Sequence, residues 1–332
     1  MTSERPVALL AFDDAYRRQI FGEEEEAALA RLVTPVAIDL KTGAGLPADA
    51  RIVVTGWPTQ RLTEAAIAAM PHLGLVAHAG GSIKSLLPTS GLAGNIAISS
   101  CAAQNAIPVA EFTVAAILFA NKRVLELARS YGESRGGRDV VLGRFDTLGN
   151  YRRTVGLVGA STIGRLVAKL LKPFDLELIV ADPYLSEADA AEMGVAKISL
   201  DQLFERADCV SLHAPLLPDT RHMVDSRRIN AMKPGATLIN TARGALVDEA
   251  ALVAALKRGH IQAVIDTTWP EIPAADSPLW TLPNVLLTPH IAGSGSTELH
   301  RHGAAITAAI DAFLAGTPIP GRVFLDQLDR IA

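Results

Sequence analysis

Short runs of Val, Ile and Leu recur along the chain, separated by stretches in which apolar residues return at helical spacing. The runs fall at residues 7–12, 52–55, 75–78, 154–158, 178–181, 209–212, 237–240, 264–266 and 285–287. They show little alternation of apolar and polar positions, as expected of strands buried on both faces of a parallel sheet. Between them, residues 163–171 read as a helix closed by Pro173. Residues 249–257 read as another, with Asp248 as N-cap and Gly259 as stop. The alternation predicts a doubly wound α/β fold.

Other segments carry weaker patterns. The acidic run 23–26 reads as the first turn of a helix, where the macrodipole favours carboxylates. The longest helical pattern runs from Val109 to about Arg129. It is apolar around most of its circumference, so it is expected to be buried in a core or against another subunit. Residues 132–150, rich in Gly, Arg and Asp, read as a long surface connection. After His290 there is one helix, about residues 296–315, and a tail. That is too little for a domain, so this segment must pack on an earlier part of the chain.

Composition narrows the classes. A length of 332 residues is enough for two domains, and 49% hydrophobic with 20% charged residues is ordinary for a globular enzyme. The net charge of −4 argues against a polybasic surface for nucleic acid or anionic membrane. No stretch approaches 18 uncharged apolar residues, so no membrane span is expected. Cys101 and Cys209 have neither metal spacing nor a disulfide framework. The run 7–12 is too short for a signal core, and a cytoplasmic protein is expected. Glu298, His300 and His302 are the nearest approach to a metal cluster, but His300 and His302 do not share a helix face, so no metal site is expected.

Two groups of residues carry chemistry. The first is Gly159-Ala160-Ser161-Thr162-Ile163-Gly164, after a strand and opening a helix. Gly159 can make the tight turn, Gly164 lets helix and strand approach, and the helix N-terminus offers free N–H groups to a pyrophosphate. Ser161 stands where the usual pattern has a glycine, and its hydroxyl could donate to the phosphates. Asp182 closes the next strand, where an acid would bridge ribose hydroxyls. The neutral Pro183 and Tyr184 after it favour NAD over NADP. The second group is Arg243, Asp266, Glu271 and His290, at or near strand ends. A fixed cation beside an imidazole and its carboxylate suits proton transfer to a ketone that gains negative charge as hydride arrives.

These motifs resemble the D-isomer-specific 2-hydroxyacid dehydrogenases. The resemblance rests on the glycine turn, on Ser211-Leu212-His213-Ala214-Pro215-Leu216, on Asn240-Thr241-Ala242-Arg243-Gly244-Ala245-Leu246-Val247-Asp248-Glu249, and on Thr288-Pro289-His290-Ile291-Ala292-Gly293. It implies two Rossmann-like doubly wound parallel-sheet domains with a cleft between them. The substrate domain would be 1–105 plus 291–332 and the NAD-binding domain 106–290. It implies reversible reduction of a 2-keto acid to the D-2-hydroxy acid by NADH. Arg243 would bind the carboxylate, His290 act as acid and base, and Glu271 hold His290. Cofactor contacts would fall on Gly159, Ser161, Thr162, Ile163, Gly164, Asp182, His213, Pro215, Thr241 and Asp266. The carboxylate would also meet the N–H groups of Gly80 and Gly81. Trp57 and Trp269 could line the pocket, although either could equally fill a core. His78 stands where many members carry arginine. A homodimer through the helix after Val109 is implied. The alternatives are an NAD-sensing corepressor on the same fold, or phosphoglycerate as the specific substrate.

Overall fold

The computed structural model describes residues 5–38, 46–59, 61–88, 95–138, 142 and 148–327. Parts of the expected surface connection, 139–141 and 143–147, lie outside the described residues, as do the first four residues and the last five. The chain divides into two compact units, one of Met1–Ala106 with Ser294–Ala332, the other of Ile107–Gly293.

The first unit opens with β1 (Val7–Leu10), α1 (Asp14–Ile20), α2 (Glu23–Leu32), β2 (Thr34–Ala37), β3 (Ile52–Gly56), α3 (Glu64–Ala68), β4 (Leu75–Ala79) and β5 (Ala97–Ser100). α4 (Ala102–Asn121) leads into the second unit. There follow α5 (Val124–Ser134), β6 (Arg153–Val158), α6 (Thr162–Leu171), β7 (Leu176–Ala181), α7 (Glu187–Met193), β8 (Ala196–Lys197), α8 (Leu200–Arg206), β9 (Cys209–Leu212), α9 (Ser226–Ala231), β10 (Thr237–Asn240), α10 (Glu249–Lys257), β11 (Gln262–Ile265) and β12 (Val285–Leu287). The chain returns to the first unit through a 3-10 turn (Ser296–Leu299), α11 (His300–Ala315) and β13 (Arg322–Val323).

The first sheet has the order β13-β5-β4-β3-β1-β2. Its pairs are parallel except β13, which runs antiparallel to β5. The second sheet, β12-β11-β10-β9-β6-β7-β8, is parallel throughout. β3 and β4 are buried along their whole length, which explains why their residues do not alternate. Each order reverses once, between β1 and β3 in the first sheet and between β6 and β9 in the second. In such sheets ligands bind outside the strand C-termini at the reversal.

The local signals act as the sequence suggests. The run 23–26 is the first turn of α2. Asp248 caps α10 by accepting from Ala251 N at 3.1 Å, and Gly259 takes a positive φ just beyond it. The orphan tail packs on the first unit. Ile306 and Ile310 of α11 join a core with Leu75 and Ala77 of β4 and Leu29 of α2.

One expectation is corrected. The long helical pattern is two helices, because the chain breaks at Arg123, which has φ +50°. Within this chain the two helices are buried on one side only. Ala110, Thr113 and Ile117 are buried, whereas Phe119 is 57% exposed and Leu125 43%. They border an apolar cavity of about 160 Å³ with Phe112, Val264 and Leu286. Moreover, α4 is, among the described residues, long and apolar enough to cross a membrane by length and composition alone, although it carries Pro108 and Glu111.

Three histidines are buried at 4% exposure or less: His78, His213 and His302. Burial lowers His78 and His213 from 6.5 to about 4, and lowers His302 as well. The positive His302 would also disfavour protonation of His78. The unfolded chain therefore takes up protons first as pH falls. Stability is fully present above about pH 6.5 and is lost progressively toward pH 4. Urea midpoints measured at pH 7.5 and pH 5 should differ, with His78 and His213 each costing on the order of 1–2 kcal/mol at the lower pH. Equal midpoints would contradict this burial.

Candidate functional site

The glycine turn lies at the C-terminal end of β6, on the strand reversal of the second sheet. Gly159 has φ +100°, and a Cβ there would stand 2.9 Å from the main chain of His213 and Ala214. Only glycine meets both conditions. Asp182, just past β7, accepts from Ala160 N at 2.7 Å and from Tyr184 N at 2.8 Å. Its carboxylate is thus fixed beside the turn, with lone pairs remaining. The Ser161 hydroxyl does not face outward to a phosphate. It donates to the His213 carbonyl at 3.0 Å and ties the turn to the end of β9. Ser161 is the N-cap of α6 but makes no side-chain capping bond, so the first-turn amides at Thr162, Ile163 and Gly164 remain for a ligand. Both ring nitrogens of His213 are buried without a hydrogen-bond partner. Pro215 accepts at its carbonyl from the Thr220 hydroxyl at 2.7 Å, and Thr241 shares a hydrogen bond with Thr113 at 3.0 Å. A cradle that a Cβ would fill, an open helix terminus, a fixed carboxylate and an unpartnered buried imidazole fit a dinucleotide.

The second group forms around the ends of β10 and β11. Asn240, the last residue of β10, uses both ends of its amide on the following turn. It donates to the Arg243 carbonyl at 2.9 Å and accepts from Ala242 N at 3.1 Å. This clamp aims Arg243, whose guanidinium also donates to the Ala242 carbonyl at 2.7 Å. Burial lowers the Arg243 pKa, and the charge of Glu271 opposes that shift. Glu271 Oε1 lies 2.5 Å from His290 Nδ1, which leaves Nε2 of His290 as the outward nitrogen. The structure therefore brings Arg243, Glu271 and His290 together. The His290 backbone is left-handed, with φ +55°, which is costly for a side chain of this kind.

Asp266 holds that conformation. It is 2% exposed. Its Oδ1 accepts from the Thr288 hydroxyl at 2.6 Å and from Ile291 N at 2.8 Å, and its Oδ2 accepts from Ala292 N at 3.0 Å. The sequence marked Asp266 as a cofactor contact. Its place in the fold adds the task of pinning the His290 loop. The Glu271 loop is fixed through Thr268, whose hydroxyl donates to the carbonyls of Pro270 and Glu271 at 2.8 Å each. Trp269 is 59% exposed with the Arg221 guanidinium over its ring at 5.7 Å, so it is not core filler.

Gly80, Gly81 and Trp57 belong to the first unit, at the C-terminal ends of β4 and β3. Trp57 is 46% exposed and is not core filler either. Sequence reasoning missed the buried polar groups behind them: Thr55, His78 and His302. His78 Nδ1 is 3.0 Å from Thr55 Oγ1, and His302 Nε2 is 3.1 Å from Ser294 Oγ. A lone buried histidine carries no sequence signal, since only the paired strands show what it faces. No group of three or more His, Cys, Asp or Glu suited to a metal ion occurs among the described residues.

Comparison with known proteins agrees with this geometry. Residues 114–292 match the model for the NAD-binding domain of the D-isomer-specific 2-hydroxyacid dehydrogenases. The chain is 34% identical over 257 residues to the D-3-phosphoglycerate dehydrogenase of Mycobacterium tuberculosis, which covers 77% of this chain and 48% of that protein. It is 35% identical over 218 residues to the glyoxylate reductase of Korarchaeum cryptofilum, covering 64% and 65%. The chain thus spans about half the length of the phosphoglycerate dehydrogenases it matches. Among solved structures, a phosphoglycerate oxidoreductase from Rhizobium etli superposes with TM-score 0.81 at 25% identity, covering 96% of this chain and 99% of that one.

Gly244 joins the Arg243 turn to the Glu271 loop, since a Cβ on it would collide with the main chain of Thr268. Gly244→Ala should force the two segments apart and destabilise the chain by about 1–3 kcal/mol, measured by urea unfolding. A neutral substitution would show that the packing is less tight than described.

Proposed function

We propose that this chain, which belongs to the D-isomer-specific 2-hydroxyacid dehydrogenase family, reduces a 2-keto acid to the D-2-hydroxy acid with NADH. The observation that carries the proposal is the Glu271–His290 pair beside Arg243, built on a backbone that Asp266 pins. Arg243 binds the substrate carboxylate, a planar anion that suits its fork. NADH, when bound, supplies the hydride. It would be held by the first-turn amides of α6, with its ribose at Asp182. As negative charge grows on the ketone oxygen, His290 gives it the proton from Nε2. Glu271, at Nδ1, stabilises the imidazolium and fixes the ring. The His290 side chain is 44% exposed, so it regains its proton from water. In the reverse direction the same nitrogen takes the hydroxyl proton.

The preference for NADH rests on Asp182, because a 2′-phosphate would meet its carboxylate. The Gly80 and Gly81 amides remain the proposed second hold on the carboxylate. The reading includes a homodimer formed through α4 and α5, supported by the exposed Phe119 and Leu125. It includes a cytoplasmic setting, supported by two buried free thiols. It includes no membrane or nucleic-acid partner. The Ala110–Ile117 side of α4 is buried in protein, and the net charge is −4.

The substrate is taken to be unphosphorylated. A phosphate needs cationic partners of its own, and the buried, neutral His78 stands on β4 where many members place arginine. The test compares kcat/KM for hydroxypyruvate with that for its 3-phosphate. Hydroxypyruvate should be favoured, and a clear preference for the phosphorylated acid would make the phosphoglycerate reading the better one.

His290→Ala should lower kcat by on the order of 10²–10⁴ while leaving NADH binding nearly intact. Glu271→Gln should lower kcat less. Stopped-flow NADH oxidation with a fluorescence titration of NADH separates the two effects. Full turnover in His290→Ala would remove it from the mechanism, and NADH binding without turnover of any keto acid by the wild type would favour a corepressor.

A further inference from the structure

The glycine turn closes on a single residue. In the pattern G-x-G-x-x-G the three defined positions fall here at 159, 161 and 164, and all three meet His213, just past β9. A Cβ on Gly159 would stand 2.9 Å from the His213 carbonyl oxygen, and one on Gly164 would stand 3.5 Å from the His213 Cβ. Ser161 completes the set with a bond, its hydroxyl donating to the His213 carbonyl at 3.0 Å. His213 is itself fixed, since its main-chain N–H donates to the Val158 carbonyl at 2.7 Å, at the end of β6.

The rest of the turn is tied down as well. Gly159 N donates to the Ala181 carbonyl at 2.9 Å, and Ala160 N donates to the Asp182 carboxylate at 2.7 Å. The Ala160 carbonyl accepts from the Arg165 side chain at 3.0 Å, and the Ser161 carbonyl accepts from the Arg165 amide at 2.9 Å. Ser161 has φ −69° and ψ −175°, extended backbone that a serine adopts without strain. Position 161 therefore does not need the conformational freedom of glycine, and serine adds a bond that glycine cannot make. These bonds all lie within the protein and ask nothing of a ligand.

We propose that Ser161 is a positioning residue whose hydroxyl latches the turn to the end of β9 and so pre-forms the amide cradle for the pyrophosphate. This rests on the cofactor reading above. With glycine at 161 the turn would be ordered only as the dinucleotide binds, and the cost of that ordering would weaken affinity. The latch moves the ordering into folding. It acts through the main chain, on the amides of Thr162, Ile163 and Gly164, and touches no reacting atom. Its effect therefore falls on affinity for the dinucleotide more than on the chemical step. The hydroxyl is engaged by His213 and is not itself a phosphate ligand.

The experiment measures, by calorimetry, the binding of NADH and of ADP-ribose, which carries the same pyrophosphate without the nicotinamide. Wild type is compared with Ser161→Ala, Ser161→Gly and Ser161→Thr, and hydrogen exchange of the turn amides is followed in the ligand-free proteins. Ser161 is exposed, so its variants test the turn rather than the fold. Ser161→Ala should weaken both ligands by roughly 3- to 10-fold, the worth of one hydrogen bond. Ser161→Gly should weaken them further, because backbone freedom returns. Ser161→Thr keeps the hydroxyl and should recover most of the affinity. The loss should appear in KM for NADH rather than in kcat. Without ligand, the amides of residues 160–164 should exchange faster in Ser161→Ala and Ser161→Gly than in wild type. Unchanged affinity in Ser161→Ala overturns the inference. So does weakened affinity with unchanged exchange, which would give the hydroxyl to the phosphates themselves. A loss shared in full by Ser161→Thr would trace to side-chain fit and overturns it as well. Failure of the wild type to bind either ligand overturns the cofactor reading with it.

Discussion

A buried carboxylate is tolerated only when its oxygens are paired, and Asp266 is paired entirely with the loop that carries His290. Its acceptors take the hydroxyl of Thr288 and the amides of Ile291 and Ala292. Donors on both sides of His290 must converge on one group at the end of β11, and the backbone between them turns left-handed. Removing the carboxylate would leave two amides and a hydroxyl unsatisfied, each at a cost of about 1–3 kcal/mol, and would remove the reason for the turn. The strain at His290 is therefore held by the fold, and it places Nδ1 against Glu271. The neighbouring turn follows the same rule, with the Asn240 side chain clamping the main chain of Ala242 and Arg243. Main-chain geometry, fixed by two buried polar side chains, sets the positions of Arg243 and His290.

The degree to which each part could be read from the sequence follows from how local its causes are. β3, β4, β9, β10 and β12 were legible because their apolar residues cluster in short runs rich in Val, Ile and Leu. β5 was not, because Ala97–Ser100 has Ile98 as its one large apolar residue, and only its place between β4 and β13 makes it a strand. β2 is an exposed edge containing Pro35, and β8 and β13 are two residues long. The break at Arg123 is a single backbone conformation inside an apolar helical pattern. The glycine turn was legible, but not the use of Ser161, since its acceptor is the His213 carbonyl just past β9, 52 residues on. Arg243, Glu271 and His290 could be named because strand ends and short motifs place them. The Trp57–His302–His78 corner could not, because its three rings come from β3, β4 and α11.

The two units also differ in the charge they present. Arg243, Asp266, Glu271 and His290 all belong to the second unit, at or just beyond the ends of β10, β11 and β12. The buried polar groups behind Gly80 in the first are hydroxyls and imidazoles that burial keeps neutral, beside the half-exposed indole of Trp57. A cation and an acid–base pair must respond to charge that changes during reaction, so they need strong local fields and fixed geometry. Recognition of a side chain that does not react needs neither. Uncharged donors suffice for it. His78 is buried and kept neutral by that burial, and its Nδ1 meets the Thr55 hydroxyl at 3.0 Å. The acid-sensitive stability of the chain and the shape of the Gly80 corner therefore share a cause, the exclusion of water from His78 and His302.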